Sequence, residues 1–304
     1  MIVVKPINIS AGKLTDSSIP EPDTGETVWT AGLSLLGDVR ISTLTHRKYQ
    51  CTADPSTTDD PIIGVNKKPP TWVDAGATNR YSMFDDENGS QSFHTGDLDI
   101  EITPNELYNA IAGFNITGAT NVSVVMTDPA DGEVYNKQLS MIDNTMINDF
   151  YAYFFEPLVL IDRFVLLDLP PYQDAVLDVN FETGGAVGVG TIAVGAQRDL
   201  GVTQYGTGWQ ALDFSIKDRD EFGRYKINKR RVSDLMDYDC YLPTSRFGFV
   251  KSTLKQLTTT PCVWVGNGDD AQDGTAVFGY YRDSQINISN YVTTDMTLSI
   301  EGLI

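Results

Sequence analysis

The feature that most constrains the fold is a rhythm of short β-forming runs broken by turn residues. Val, Ile, Tyr and Phe cluster in these runs, and Gly, Pro, Asn, Asp and Thr recur between them about every eight to twelve residues. Helical periodicity is nearly absent. The rhythm predicts a mainly β protein: a small β module, then a jelly-roll-like β-sandwich, and then a C-terminal α+β domain.

The chain has 304 residues, which is long for a single core, so we predict four segments. Residues 1–25 form a short strand or anchoring arm followed by a linker rich in Ser, Pro, Gly and acidic residues. Residues 26–88 form the small β module, and residues 89–201 form the β-sandwich. Residues 202–304 form the C-terminal α+β domain, which we expect to serve in docking.

Local signals predict individual elements within these segments. A hairpin turns at residues 43–46, and eight longer runs supply the strands of the sandwich, among them "DFYAYFF" at 149–155. Two more strands meet around "DEFG" at 220–223. The best helix begins near Thr244 or Ser245, either of which can cap it, and ends before Pro261.

Charge and hydropathy exclude several partners. Lysine and arginine total 22 against 41 acidic residues, a net charge of −19, so the surface repels phosphate backbones and anionic membranes. We therefore expect no nucleic acid partner. The most apolar stretch, residues 151–169, is interrupted by charged residues and a proline, and the first residues lack a signal-peptide pattern. These features predict synthesis in a cytoplasm and no membrane insertion.

The cysteines and histidines leave little material for catalysis. Cys51, Cys240 and Cys262 are widely spaced and form no C-x-x-C pair, which favours buried thiols over a zinc site or a disulfide framework. The two histidines, His46 and His94, cannot supply a multi-histidine metal site. The chain carries no P-loop, nucleophile elbow or H-E-x-x-H motif, so we expect no enzyme activity, cofactor or metal.

Acidic residues leave two weaker alternatives open. The loops at 54–60 and 267–274 could hold calcium, although Gln272 stands where an EF-hand loop needs glycine, and solvated hairpin loops are the preferred interpretation. A pair of carboxylates could cleave a glycosidic bond, but 41 acidic residues are too many for the sequence to nominate two of them.

One stretch opposes the overall charge. Residues 217–231 contain seven bases against three acids. Two interpretations stay open: the stretch docks onto an acidic neighbour such as another copy of the chain, or it is the polar face of an exposed hairpin. The candidate interface residues are Arg224, Lys226, Lys229, Arg230 and Arg231.

Aromatic residues in the small module raise a second question. Trp29, Tyr49 and Trp72 are of the types that stack on the apolar face of a sugar ring, which makes them candidate carbohydrate-binding residues. A β unit of this size also needs large aromatic residues for its own core. Core packing is favoured for any single one of the three, with sugar binding as the alternative.

The module contains an ordered set of residues: Trp29, Gly32, Gly37, Asp38, Tyr49, Cys51 and Trp72. Their order resembles the chitin-binding module of carbohydrate-binding families 5 and 12. The segment between Gly32 and Gly37 is shorter than in that family, and Leu35 or Leu36 replaces an aromatic residue there. The resemblance implies sugar binding by the three aromatic residues.

Stretches along the whole chain resemble tailed-bacteriophage virion proteins of the tail tip, baseplate or neck. The resemblance is carried by "WVDAGATNRYSMFD" at 72–85, "VGTIAVGAQRDLGVTQYG" at 189–206, "TTTPCVWVGNG" at 258–268 and "TLSIEGLI" at 297–304. It implies a structural component of the virion tail that docks into a ring with other tail proteins and copies of itself, and that presents its module to bacterial surface glycan. The alternatives are an architectural neck, collar or adaptor subunit without sugar binding, and a glycan-active depolymerase.

Overall fold

The computed structural model describes residues 1–145, 147–155, 157–219, 221, 223–268, 271–272 and 274–303. Strands hold 50% of the residues and helices 8%, so the prediction of a mainly β protein is confirmed. The turn residues of the sequence separate the strands, as their backbone preferences require.

The strands of the first half are short in the module and longer in the sandwich. One short helix, α1 (Pro61–Gly64), and a 3₁₀ turn (Ser82–Phe84) interrupt them. The strands are β1 (Ile2–Pro6), β2 (Leu14–Ser17), β3 (Ser34–Leu35), β4 (Val39–Ser42), β5 (Arg47–Cys51), β6 (Ser56–Thr57), β7 (Trp72–Ala77), β8 (Ser92–Thr95), β9 (Leu98–Ile102), β10 (Ala110–Thr117), β11 (Asn121–Asp128), β12 (Gly132–Ser140) and β13 (Ile142–Asp143).

The second half contains the longest strands and two further helices. The helices are α2 (Phe150–Phe155) and α3 (Phe247–Gln256), the latter preceded by a 3₁₀ turn (Thr244–Arg246). The strands are β14 (Val159–Leu160), β15 (Phe164–Leu166), β16 (Val176–Glu182), β17 (Ala186–Asp199), β18 (Val202–Thr203), β19 (Gly208–Asp213), β20 (Ile216–Arg219), β21 (Tyr225–Asn228), β22 (Val232–Pro243), β23 (Cys262–Val265), β24 (Val277–Ile288) and β25 (Thr293–Gly302).

A single antiparallel sheet of eleven strands runs through most of the molecule. Its order is β15-β10-β17-β1-β23-β24-β25-β22-β18, with β8 also paired to β17 and β19 also paired to β22. A second sheet, in the order β12-β11-β16-β9-β2, packs against one face of β10 and β17. Alternation of apolar and polar residues places one face of the second sheet in the core and the other in solvent. Its inward side chains include Val122, Val124, Met126, Leu177, Val179 and Phe181.

The first strand lies in the middle of the large sheet. β1 pairs with β17 on one side and with β23 on the other. Val3 belongs to the C-terminal core and Val4 to the core on the opposite face of the sheet. The residues predicted as a linker are also structured, because β2 pairs with β9 and Ile19 is completely buried. Isolated apolar residues in a polar stretch are the physical reason for this difference.

The large sheet curls back on itself. The rings of Phe114 on β10 and Phe278 on β24 stack with centroids 6.1 Å apart, although three strands separate β10 from β24 in the sheet order. The amide of Val165 on the edge strand β15 donates to the carbonyl of Ala271 at 2.7 Å, which brings that edge close to the start of β24. The curl encloses a separate apolar cluster that includes Val4.

The predicted helix is present as α3. Val250, Leu254 and Leu257 are buried against the C-terminal strands, as the apolar spacing predicts. The predicted cap differs, because no side chain caps the first turn and the hydroxyl of Thr244 instead donates to the carbonyl of Asn290 at 3.3 Å. A 3₁₀ turn precedes the helix, so Thr244 lies one turn before its first residue.

The small module is a three-stranded sheet, β4-β5-β7, beside the two-stranded β3-β6, and the hairpin predicted at residues 43–46 is confirmed. The chain that leaves the module continues into the sandwich core, where Met83 is fully buried. The carboxylate of Glu21 accepts a hydrogen bond from Thr78 Oγ1 at 2.7 Å and lies 2.6 Å from His46 Nδ1. These contacts fix the module to the residues that precede it.

The three cysteines are free and buried, which confirms that prediction. Burial raises the pKa of Cys240 to about 11 and that of Cys262 to about 12. We expect the folded chain to leave an aromatic disulfide reagent unconsumed near pH 8, and the guanidinium-unfolded chain to consume three equivalents. Absorbance of the released thiolate measures both quantities. Rapid reaction of any thiol without denaturant would contradict the burial.

Candidate docking surfaces

Two of the three candidate carbohydrate-binding residues form the core of the module. Trp72 has 0% exposure and its Nε1 donates to the carbonyl of Asp59 at 3.0 Å. Tyr49 is buried beside it, and its hydroxyl lies 3.0 Å from the hydroxyl of Thr45. Neither ring has a free face on which a sugar could stack. Their burial supports core packing, which the sequence favoured, over the alternative of sugar binding, because a sheet this small needs large side chains for its own core.

Trp29 completes the same cluster from its edge. The side chain is half-buried and packs against the core made by Tyr49, Cys51 and Trp72. Its Nε1 is buried and finds no hydrogen-bond partner among the described residues. The exposed apolar residues of the module are aliphatic instead. They are Leu33, Leu35, Leu36, Val39, Leu44, Ile63 and Val73.

Of the two candidate calcium loops, the structure describes only the first in full. In the first loop, Asp60 accepts a hydrogen bond from the amide of Ile62 and so caps α1, while Asp59 accepts from Lys67 at 2.6 Å. Both carboxylates thus have structural roles. In the second loop, Asp269, Asp270 and Asp273 lie outside the described residues.

The basic stretch forms a hairpin that leaves the body of the protein, here called the basic arm (residues 214–231). β20 pairs with β21, and neither pairs with a third strand in the part of the chain that the structure describes. The amide of Phe214 donates to the carbonyl of Arg231 at 3.4 Å, so the arm continues the hairpin of β19 and β22 outward. All residues of β20 and β21 are exposed. Asp220 and Phe222 near the turn lie outside the described residues.

The charges of the arm are mostly uncompensated. Lys217 pairs with Asp213 at 2.8 Å, and the guanidinium of Arg219 lies over the ring of Tyr225 at 4.4 Å. The five candidate interface residues are exposed and lie on β21 or beside it. Four of them form no ion pair within the described ranges: Lys226, Lys229, Arg230 and Arg231.

A second uncovered element is the aromatic segment (residues 150–160), which comprises α2 and β14. The strand predicted at 149–155 is wrong, because these residues form helix α2. Aromatic residues favour strands when a neighbouring strand covers one face, whereas here they occupy consecutive positions without alternation. Phe150 is 86% exposed. The other exposed apolar residues of the segment are Tyr151, Tyr153, Phe154, Phe155, Leu158, Val159 and Leu160.

A cleft of about 720 Å³ lies between the residues that flank the aromatic segment and the two strands, β19 and β22, that carry the basic arm. β13, which leads into the aromatic segment, lines one side of the cleft, and Trp209 on β19 lines the other. The carboxylate of Asp234 accepts a hydrogen bond from Trp209 Nε1 at 2.9 Å. Sequence reasoning missed this cleft, since residues 142–145 and Trp209 are brought together only by the tertiary fold.

A half-buried arginine, Arg163, organises the wall of this cleft. Arg163 Nε lies 2.9 Å from Asp162 Oδ1, and its Nη2 lies 3.9 Å from Asp234 Oδ2. Burial acts to lower the pKa of Arg163, but the hydrogen bond and charge of Asp162 and the charge of Asp234 raise it overall. Both carboxylates therefore serve a shared ion-pair cluster. This geometry holds β15 beside β22, and it does not resemble an acid and a nucleophile facing a sugar.

The outer side of the second sheet forms an acidic face (Asp16, Asp99, Glu101 and Asp178). Asp178 on β16 lies directly across from Glu101 on β9, and Glu101 lies directly across from Asp16 on β2. Burial raises the pKa of Asp178, and the charges of Glu101 and Asp99 raise it further. The signal for this face is in the sequence, as acidic residues at alternate positions of strands such as "DLDIEI", but it needs the strand register to be recognised.

We expect Asp178→Asn to stabilise the protein by about 0.5 kcal/mol at neutral pH, because it removes like-charge repulsion across neighbouring strands. A carboxyl group whose pKa is raised by folding stabilises the fold least when it is ionised. The gain should therefore shrink as the pH falls toward the ordinary carboxyl pKa of about 4. Urea unfolding at several pH values measures it. Asp174→Asn, at an exposed position, is the control, and an equal gain there would contradict the explanation.

Comparison with known proteins adds no relative. No protein-family profile, curated protein or solved structure matches this chain. Within the described ranges, no helix has both the length and the apolar character needed to cross a bilayer.

Proposed function

We propose that this chain is a structural subunit of a bacteriophage tail, held in a ring by protein contacts. The observation that carries the proposal is the exposure of two elements, the basic arm and the aromatic segment, which the rest of the described chain leaves uncovered. Contiguous exposed aromatic residues of this kind mark protein interfaces, since a monomer gains nothing by leaving them in water. The resemblance of the chain to tail virion proteins supplies the kind of particle.

The burial of the module's aromatic residues favours an architectural role over display toward host glycan. Trp72 and Tyr49 support the module from within. What the module offers outward is a set of leucine side chains, including Leu33 and Leu44. Aliphatic surfaces pack against protein neighbours and lack the flat rings that stack on sugars. The proposed role needs neither a catalytic step nor a cofactor, and the proposed partners are other tail proteins and further copies of this chain.

Cryo-electron microscopy of particles from a phage that encodes this chain tests the proposal. We expect a closed ring of copies in the tail, with the aromatic segment and the basic arm covered by neighbouring chains. A ring at the distal end would assign the subunit to the tail tip or baseplate, and a ring below the head would assign it to the neck. Absence of the chain from purified particles, or exposure of both the basic arm and the aromatic segment to solvent there, would refute the proposal.

A further inference from the structure

Charge is divided unevenly between the basic arm and the rest of the chain. The arm carries seven bases and three acids, a net charge of +4, so the remaining residues carry −23 of the total of −19. An exposed two-stranded ribbon with its own unpaired cations is easily brought to a partner, because its side chains are already in water and project away from the core. The complementary partner is an acidic surface.

The register of the arm shows what it presents. Arg219 lies across from Tyr225, and Lys217 lies across from Ile227, so these four side chains share one face of the ribbon. Lys226 lies on the opposite face. There it lies across from Asp218, so the first face is the one that combines two cations with apolar and aromatic surface. Such a mixture suits a protein surface, where the apolar atoms can also be buried.

The acidic face on the second sheet has the matching character. Asp16, Glu101 and Asp178 stand in line on three adjacent strands, about 5 Å apart in the hydrogen-bonding direction, and Asp99 lies two residues from Glu101 along β9. No Lys or Arg forms an ion pair with these four carboxylates in the described part of the chain. Nor do any three acidic or other ligating side chains there converge closely enough to hold a metal ion.

We propose that the basic arm of one copy docks on the acidic face of a second copy. The inference rests on the proposed function and names the partner of the arm within that assembly. Since the arm and the acidic face are different surfaces, the proposed ring follows when the arm of each copy docks on the face of the next copy. Contacts of this type build rings when the rotation closes, and open filaments when it does not.

Another copy fits the arm better than a nucleic acid or an anionic membrane. A phosphate surface would meet the arm favourably but would be repelled by the body, whose charge is −23 apart from the arm. A second copy offers one acidic face for every arm, and its carboxylates lose their mutual repulsion when cations lie between them. The basic arm of one copy and the acidic face of another can therefore neutralise each other's charge.

A charge exchange tests the docking. The arm-reversed variant carries Lys226→Glu, Lys229→Glu and Arg230→Glu. Because these side chains are exposed and outside every core cluster, the variant should fold as the native chain does. We expect the native chain to self-associate in sedimentation velocity at about 0.05 M salt and to dissociate at about 0.5 M. The arm-reversed variant should associate at least about tenfold more weakly.

The face-reversed variant carries Asp16→Lys, Glu101→Lys and Asp178→Lys. Alone it should also associate at least about tenfold more weakly than the native chain. Mixed with the arm-reversed variant it should recover association, because each reversed surface then meets its opposite. If circular dichroism shows that the face-reversed variant does not fold, Asp16→Asn, Glu101→Gln and Asp178→Asn replace it. This neutral variant is measured without the mixing experiment, and it should also associate more weakly than the native chain.

The control reverses three exposed lysines outside the arm, Lys68, Lys251 and Lys255, to glutamate and matches the change in net charge. It should associate like the native chain. Equal weakening by the control, no recovery in the mixture, or a native chain that stays monomeric at about 1 mM overturns the inference. Salt-sensitive binding of the native chain to duplex DNA or anionic vesicles without self-association overturns it in favour of a phosphate partner.

If the chain forms a ring in particles while the exchange has no effect, the proposed function stands and the docking partner is wrong. If association depends on the arm but the chain is absent from particles, the docking stands and the proposed function is wrong.

Discussion

Val4→Asp is expected to remove a large share of the protein's stability. Val4 lies in the strand that joins the two halves of the large sheet, and its side chain points into the apolar cluster enclosed by the curl. The side chains of that cluster are all apolar, and an uncompensated buried charge costs about 3 to 5 kcal/mol. Since domains of this kind are stable by about 5 to 15 kcal/mol, a large share of the stability should be lost. Guanidinium unfolding followed by far-ultraviolet circular dichroism measures the loss.

Lys5→Asp is the matched control, because it places the same carboxylate on the next residue of β1, where the side chain is exposed. It should change the free energy of unfolding by less than about 0.5 kcal/mol. If Val4→Asp were as stable as Lys5→Asp, β1 could not be the strand that unites the sheet. If only the C-terminal strands unfolded, the two halves would be independent of each other.

Trp72→Ala is expected to unfold the small module. The substitution empties the centre of a cluster that contains few other large side chains and removes the hydrogen bond to Asp59. Truncation of a fully buried tryptophan costs about 3 to 5 kcal/mol. A core of this size cannot absorb that loss, so residues 34–74 should become accessible to protease and lose protection from hydrogen exchange. The sandwich should keep its protection, since its own core clusters do not contain Trp72.

Trp209→Ala provides the control for tryptophan removal, because the Trp209 side chain is 60% exposed. It should leave protease resistance of the module unchanged. The two substitutions also separate the two roles considered for Trp72. If Trp72→Ala left the module folded and abolished retention on bacterial polysaccharide, the core assignment would be wrong and the sugar-binding role would return.

The parts of the fold that were predictable are those set by local pattern. Alternating residues and turn signals predicted the mainly β fold and the hairpin at residues 43–46, and apolar spacing predicted helix α3. The basic arm was found in the same way, as a charge reversal over a short stretch. In each case the deciding residues lie within about fifteen positions of one another, so no knowledge of distant pairing is needed.

The parts that were not predictable depend on contacts between distant residues. Nothing near Val4 shows that its strand will lie between β17 and β23, and the acidic face exists only because Asp16, Glu101 and Asp178 meet in register. Binding residues are hard to predict for a similar reason. A tryptophan such as Trp72 can pack in a core or stack on a sugar, and only its burial in the folded chain distinguishes the two roles. The aromatic residues of α2 favour a strand by their intrinsic propensity but form a helix, because a strand preference has no effect without a neighbouring strand to pair with.

The central position of β1 also has a consequence for biosynthesis. Its partner strands end at Asp199 and Val265, so β1 finds its second neighbour only after residue 265 has emerged from the ribosome. At about 5 to 20 residues per second, its apolar side chains wait roughly 10 to 50 seconds for their final contacts. During translation the unpaired edge is open to pairing with other nascent chains. Holdase chaperones that cover this edge should therefore raise the yield of folded protein more than they would for a chain whose neighbouring strands are consecutive.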